Sequence, residues 1–167
     1  MKRSILLAIL TAGAAIGTHS FAAGIQITGG AADRQVFQRG ADNRADVRLQ
    51  GTVDEAQATR VEARVTTAKG AVGGLKWRAV GTVANGKWDA TIKGVPTGGP
   101  YTIEVRVPGT PGTAAVKQVL VGDLWVLGGQ SNMQGVGDLV DVEPPSDHVH
   151  SFDMADNLVV AKDPLHV

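Results

Sequence analysis

The sequence of 167 residues predicts a mainly β protein, in which an antiparallel β-sandwich is followed by the start of an α/β domain. Alternating apolar and polar residues recur between residues 45 and 107, and the alternation ends at Leu124. The charge balance also changes: residues 23–121 contain 13 Lys/Arg and 8 Asp/Glu, whereas residues 122–167 contain 1 and 8. The two changes coincide and predict a domain boundary near Gly122.

The first 22 residues have the features of a signal peptide. Lys2 and Arg3 precede an apolar run over residues 5–16, and small residues end at Ala22, before the predicted cut. The run is shorter than the ~20 apolar residues of a membrane-spanning helix. We therefore expect a bacterial periplasmic or secreted protein, with no membrane partner after cleavage.

Composition excludes several kinds of site. The chain has no cysteine, which rules out disulfides, a thiol nucleophile and thiolate metal ligands. Lys and Arg balance Asp and Glu, 16 against 16, so no basic surface for nucleic acid is predicted. Nothing in the sequence calls for a cofactor.

Several stretches of the first part have the period of half-buried strands. They cover residues 45–49, 61–65, 75–79, 88–92 and 101–107. Asn85 and Gly86 predict a hairpin turn, whereas residues 98–100 predict a break and residues 108–112 a loop. Seven or eight short strands in about 100 residues, without a convincing helix, are typical of an immunoglobulin-like sandwich.

Two tryptophans lie on the apolar side of these alternating stretches. Trp77 and Trp88 are predicted to fill the core of the sandwich, because large aromatic side chains on that side bury most area there. The alternative is an exposed tryptophan that stacks on a sugar ring.

The segment that begins at Leu124 predicts a reactive serine. Residues 124–127 are continuously apolar, as in a strand buried on both faces of a parallel sheet. Gly128 and Gly129 then permit a sharp turn, and Ser131 follows at the carboxyl edge, where open α/β sheets bind ligands. Backbone N–H groups of a following helical turn would face an oxyanion there. The alternative is a serine in an ordinary polar turn.

Residues 129–135, Gly-Gln-Ser-Asn-Met-Gln-Gly, resemble the first block of the SGNH (GDSL-like) hydrolases, in the sialate O-acetylesterase and acetylxylan esterase branch. The Gly-Asp-Leu-Trp of residues 122–125, the Gly-Gly-Pro-Tyr of residues 98–101 and the Asp-Met-Ala-Asp of residues 153–156 extend the resemblance. It implies a β-sandwich beside a flavodoxin-like catalytic domain and an acetylated carbohydrate as substrate. The α/β-hydrolase pattern Gly-x-Ser-x-Gly fails, because Met133 occupies its last position.

The resemblance implies that Ser131 attacks an acetyl ester while a histidine takes its proton. The family's later glycine and asparagine blocks are not found in this sequence. Asp163 and His166 spell the family's Asp-x-x-His, but only 31 residues separate Ser131 from Asp163. That is too short for the strand–helix units that would bring the pair back to the serine, so a structural or substrate-lining role is expected.

Other polar clusters are weaker candidates. His148 and His150 would share a face if extended, but no third ligand has a convincing spacing, so we predict a loop and no metal. The acidic side chains of this stretch are predicted to be solvated. They are Asp138, Asp141, Glu143 and Asp147.

The second part is too short for a whole domain. The 46 residues from 122 to 167 cannot cover both faces of an α/β sheet, since such domains need well over ~100 residues. We therefore predict an inactive fragment of a longer carbohydrate O-acetylesterase. The alternatives are a secreted carbohydrate-binding module and a purely structural protein.

Overall fold

A computed structural model describes residues 24–55, 57–129, 138–163 and 165. The predicted signal peptide, residues 1–22, lies outside these residues. Strands make up the regular structure of the described chain, which contains no helix, so the prediction of a mainly β protein is confirmed. Within the same residues no helix has the length and apolarity needed to cross a membrane.

Eleven strands form two separate sheets within the described residues. They are β1 (Ile25–Gly29), β2 (Val36–Gln38), β3 (Arg44–Val53), β4 (Arg60–Thr67), β5 (Gly70–Ala71), β6 (Arg78–Ala84), β7 (Lys87–Pro96), β8 (Gly98–Arg106), β9 (Ala114–Gly122), β10 (His150–Phe152) and β11 (Leu158–Val160). The large sheet has the order β1-β3-β7-β6-β4-β8-β9-β2, with β5 on β4, and β10 pairs with β11. The β2–β9 pair is parallel and the other pairs are antiparallel.

The core lies on one face of the large sheet, which curls until β1 contacts β9 and β2 contacts β3. Alternate residues of β3, β4, β7 and β8 point into it, because successive side chains of a strand face opposite sides. The largest fully buried side chains are Trp88, Leu49, Ile92, Ile103, Val47, Val61, Val65, Val95, Val105, Val119 and Val121. The predicted strands at residues 45–49, 61–65, 88–92 and 101–107 are therefore confirmed, apart from the last residue of the fourth.

The hairpin between β6 and β7 forms as predicted. Asn85 and Gly86 have φ angles of 52° and 71°, and Ala84 pairs with Lys87 across the turn. Positive φ at both central residues is the type I′ geometry, whose twist matches that of the adjoining strands. The predicted loop at residues 108–112 is also present between β8 and β9.

Two predictions for the sheet are wrong. The stretch 75–79 is not one strand: the amide of Leu75 donates to Val72 O in a turn, and β6 begins only at Arg78. Residues 98–100 do not break the structure but begin β8, with a register shift before Tyr101. Gly98 and Gly99 both have φ of 124°, a conformation that L side chains rarely adopt, which lets the strand start there.

Candidate functional site

The predicted nucleophile Ser131 lies outside the described residues, as do the rest of residues 130–137. The residues that precede Ser131 are described as far as Gly129. Residues 124–129 form no strand, and Trp125 and Val126 are 83% and 96% exposed. The predicted buried strand is therefore wrong for this structure. A strand buried on both faces needs hydrogen-bonded neighbours and covering side chains, and none lies along this segment among the described residues.

The start of this segment is nevertheless held firmly against the sheet. The Arg39 guanidinium binds the Asp123 carboxylate in a fork, with Nε–Oδ1 and Nη2–Oδ2 distances of 3.0 and 3.1 Å. Gln38 bridges the same point: its Nε2 donates to Asp123 Oδ1 at 3.2 Å, and its Oε1 accepts the Leu124 amide at 2.8 Å. The hydrogen bond from Arg39, followed by that from Gln38, holds the pKa of Asp123 below its usual value.

The residues of the Asp-Met-Ala-Asp motif build the turn of the β10–β11 hairpin. Asp153 Oδ1 accepts the amides of Ala155 and Asn157 at 3.0 and 2.8 Å, and Asp156 takes a positive φ of 62°. The amide of Asn157 is the larger cause that lowers the pKa of Asp153. Asp153 is therefore an ionised turn-forming residue, of the kind in which a carboxylate replaces a backbone acceptor.

A shallow pocket of about 260 Å³ lies beside this hairpin. Its polar lining consists of Ser151, Asp153, Lys162 and Asp163. Asp163 is exposed there, while the other half of the predicted Asp-x-x-His, His166, lies outside the described residues. The expectation that this pair is not the catalytic one stays a prediction.

The two described histidines have different surroundings. His148 is exposed, and its backbone amide donates a hydrogen bond to Ser146 Oγ at 3.3 Å. His150 is half-buried, and its Nδ1 lies 2.7 Å from Arg34 O, so that nitrogen carries a proton and donates it. Its Nε2 is buried without a partner among the described residues. The histidines thus do not form a shared metal face, and the part of the chain that is described holds no cluster of three metal-binding side chains.

The acidic stretch over residues 138–147 lies at the surface. All four carboxylates predicted to be solvated are exposed, and the adjoining Pro144 and Pro145 lie in irregular backbone. The predicted loop is confirmed from residue 138 to His148, but it is wrong at His150, which begins β10 and is half-buried because it pairs with Val160 and contacts Arg34 O. The four carboxylates are Asp138, Asp141, Glu143 and Asp147.

Trp77 lies outside the core, contrary to the prediction, whereas Trp88 is 1% exposed as predicted. The indole of Trp77 contacts the guanidinium groups of Arg64 and Arg106, which lie 4.8 and 4.2 Å from the ring centroid. Each guanidinium is also held by a carboxylate, at 2.6 and 2.9 Å respectively. The alternation that suggested burial is interrupted after the buried Leu75, because residues 76 and 77 form a bend before β6 begins at Arg78.

Sequence reasoning also missed the contacts of Arg39 and Gln38. Their partners lie 84 to 86 residues away, and no local pattern signals such a distance. The parallel pairing of β2 with β9 brings these side chains to their partners. It cannot be predicted from the sequence of β2, which has only three residues.

Comparison with known proteins gives one family match. Residues 121–167 match the family described as SASA, a carbohydrate esterase, sialic acid-specific acetylesterase. The matched range contains Ser131, Asp123 and the hairpin turn at Asp153. The match supports an esterase of acetylated sugars and confirms that part of the resemblance seen in the sequence. A search of curated proteins finds no match.

Proposed function

We propose that this chain carries the nucleophile segment of a carbohydrate O-acetylesterase of the SGNH type, similar to sialate O-acetylesterases. The observation that carries the proposal is the family match over residues 121–167, which includes the Gly-Gln-Ser-Asn-Met pentamer at residues 129–133. In this reaction Ser131 Oγ attacks the acetyl carbonyl, and the proton passes to a histidine and then to the departing sugar hydroxyl. Water next hydrolyses the acetyl-serine to acetate and restores the free hydroxyl.

We also propose that this chain by itself has little or no esterase activity. Residues 124–127 are exposed instead of buried in a sheet, so the described chain lacks the crevice that an open α/β domain provides at its strand ends. His150 is not placed to serve as base in the described chain, because its Nδ1 donates to Arg34 O and its Nε2 is buried.

The first experiment measures acetate release from O-acetylated sialic acid and from nitrophenyl acetate by the purified chain. We expect rates no higher than those of Ser131→Ala. Activity that Ser131→Ala abolishes and Ser151→Ala retains would support the esterase assignment but reject the proposed inactivity, and would revive Asp163 and His166 as base. Activity that Ser131→Ala leaves unchanged would reject Ser131 as nucleophile.

If the chain is inactive, the genomic sequence beyond the Val167 codon decides the assignment. We expect an in-frame glycine block, a Gly-x-Asn-Asp-like block and a late Asp-x-x-His. A fluorophosphonate should then label Ser131 in the protein purified from its natural source. Failure to find these blocks, or labelling of another serine, would reject the catalytic assignment.

For residues 23–121 we propose an immunoglobulin-like sandwich. The order β1-β3-β7-β6 corresponds to the strands A-B-E-D of that fold, and the order β5-β4-β8-β9-β2 corresponds to its second sheet, with the β4–β6 pairing joining the two. Tyr101, near the start of β8, donates its hydroxyl to Pro96 O at 3.0 Å. This resembles the tyrosine corner that the fold places at the same strand.

We further propose that cleavage near Ala22 delivers the protein to the periplasm or exterior. The charged start and apolar run of residues 2–16 support this proposal. N-terminal sequencing of the protein from its source should begin near Ala23. A mature protein that retains Met1 would reject it.

A second candidate function, carbohydrate binding by the sheet, is favoured by the position of Trp77. The half-buried indole lies outside the core, held by Arg64 and Arg106, and its accessible part offers a preoriented ring on which the C–H groups of a sugar can stack. Calorimetric titration of the full chain with acetylated polysaccharide should show binding that Trp77→Ala removes and Trp125→Ala retains. No binding, or equal binding by both variants, would reject this function.

A further inference from the structure

Every side-chain hydrogen bond that joins described residues after Gly122 to the large sheet reaches one six-residue stretch, residues 34–39. This stretch consists of the turn before β2 and β2 with its next residue. We name it the docking stretch. Its contacts reach two places 26 residues apart in the matched segment, at Leu124 and at His150.

The docking stretch is itself tied to the sheet by backbone bonds. Arg39 N donates to Gly122 O at 2.8 Å, and Arg34 N donates to Lys117 O at 2.9 Å. Between these ends Leu120 N donates to Gln35 O at 3.0 Å. The stretch therefore has a defined position on β9, and groups bound to it acquire a defined position as well.

The first contact fixes the direction in which the chain leaves β9. A fork of two N–H groups onto both carboxylate oxygens of Asp123 fixes orientation as well as distance, since the planar guanidinium and carboxylate must be coplanar to form both bonds. Gln38 adds a bond to the next amide, Leu124 N. Two consecutive residues are thus oriented.

The second contact joins the β10–β11 hairpin to the docking stretch. The His150 Nδ1–H donates to Arg34 O, and Ala161 N donates to Val149 O at 2.8 Å, which ties the far side of the hairpin to the histidine's neighbour. The side chain of His150 is half-buried, so the contact excludes part of the ring from water.

We propose that residues 34–39 are the docking surface by which the sheet positions the acetylesterase-matched segment, with Gln38 and Arg39 as positioning residues. The sheet and the segment then behave as one body and not as two domains on a flexible tether. The inference concerns the packing of this chain and holds whether or not Ser131 is catalytic.

Hydrogen–deuterium exchange of the full chain tests the proposal at the peptides covering residues 120–129 and 146–161. Arg39→Asp and Asp123→Arg should each speed exchange in both peptides, by about fivefold, the upper end of what exposed ion pairs provide. The double variant Arg39→Asp/Asp123→Arg should restore most of the protection. Arg60→Asp, which breaks the ion pair with Glu62 elsewhere on the sheet, is the matched control and should change neither peptide.

Two variants without charge changes separate the contacts. Gln38→Met should speed exchange at Leu124 alone, and His150→Phe should speed exchange across residues 146–161. Exchange in peptides from β7 reports whether the large sheet stays folded. If Arg39→Asp unfolds the sheet, the results for Gln38→Met and His150→Phe decide whether the proposal holds. The proposal would be overturned by any one of three results. They are unchanged exchange in both Gln38→Met and His150→Phe, faster exchange in only one of the two peptides of Arg39→Asp, and no recovery of protection in the double variant.

Discussion

The two sheet tryptophans should differ sharply in their contribution to stability. Trp88 is 1% exposed and its Nε1 donates to Thr52 O at 3.1 Å, so Trp88→Ala leaves a large cavity and an orphaned carbonyl. Truncating a buried tryptophan costs about 3–5 kcal/mol. Because a small domain has about 5–15 kcal/mol in total, this variant should lose a fifth or more of its free energy of unfolding.

Trp77→Ala should cost much less. The variant loses the contacts of the half-buried ring with Arg64 and Arg106, and such contacts are worth about 0.5–1 kcal/mol each at exposed sites. The guanidinium groups keep their carboxylate partners Glu104 and Glu62, so no charge is left buried alone. We therefore expect a loss of about 1–2 kcal/mol.

Urea unfolding followed by far-ultraviolet circular dichroism measures both losses in the full chain. Circular dichroism is preferable to fluorescence here because the substitutions remove emitting tryptophans. Trp77→Phe and Trp88→Phe are the conservative controls and should recover part of each loss. A loss for Trp77→Ala that equals or exceeds that for Trp88→Ala would refute the assignment of Trp77 to the surface and return it to the core.

Three further predictions concern packing and ionisation. A Cβ at Gly51 would lie 1.8 Å from Gln26 O and 2.4 Å from the Trp88 ring, so Gly51→Ala should lower the free energy of unfolding by at least ~1–3 kcal/mol in the same urea assay. Gly122→Ala is the control and should be neutral, because no atom lies within 4 Å of a Cβ built there. Because the pKa of Asp123 is lowered in the folded state, its hydrogen bonds stabilise the fold above the unfolded-state pKa of about 3.9, and this stabilisation is lost as the pH falls through the folded-state pKa. The urea midpoints of the wild type and of Asp123→Asn should therefore differ at neutral pH and converge in acid. A difference that stays constant with pH would contradict this sign. Asp153→Ala should speed exchange of the Ala155 and Asn157 amides measured by NMR, and unchanged rates would exclude Asp153 as their acceptor.

The strands that sequence reasoning found are those with a regular alternation. β3 and β7 bury every second side chain over most of ten residues, so their pattern is readable. β9 was missed because Gln118 takes a positive φ of 57°, which shifts the register, and Val119, Leu120 and Val121 are then all buried in succession. Such a run has no period, and only the tertiary structure explains it.

The candidate site was less predictable, because its parts depend on distant neighbours. The apolar run at residues 124–127 has the composition of a buried strand, but burial requires partners that the described residues do not supply. The ion pair between Arg39 and Asp123 depends on the parallel pairing of β2 with β9, which no local signal announces. The Asp-Met-Ala-Asp segment was recognised by resemblance, while its role as a turn follows only from the hydrogen bonds of Asp153.

The parallel pairing of β2 also constrains the order in which the chain can assemble. The partner strand β9 ends at Gly122, so Gln38 pairs with a residue 84 positions further along the chain. Closing so long a loop costs conformational entropy before the contact repays it. The edge of the sheet near the N-terminus is thus among the last parts to close, and the fork between Arg39 and Asp123 forms as that closure is completed.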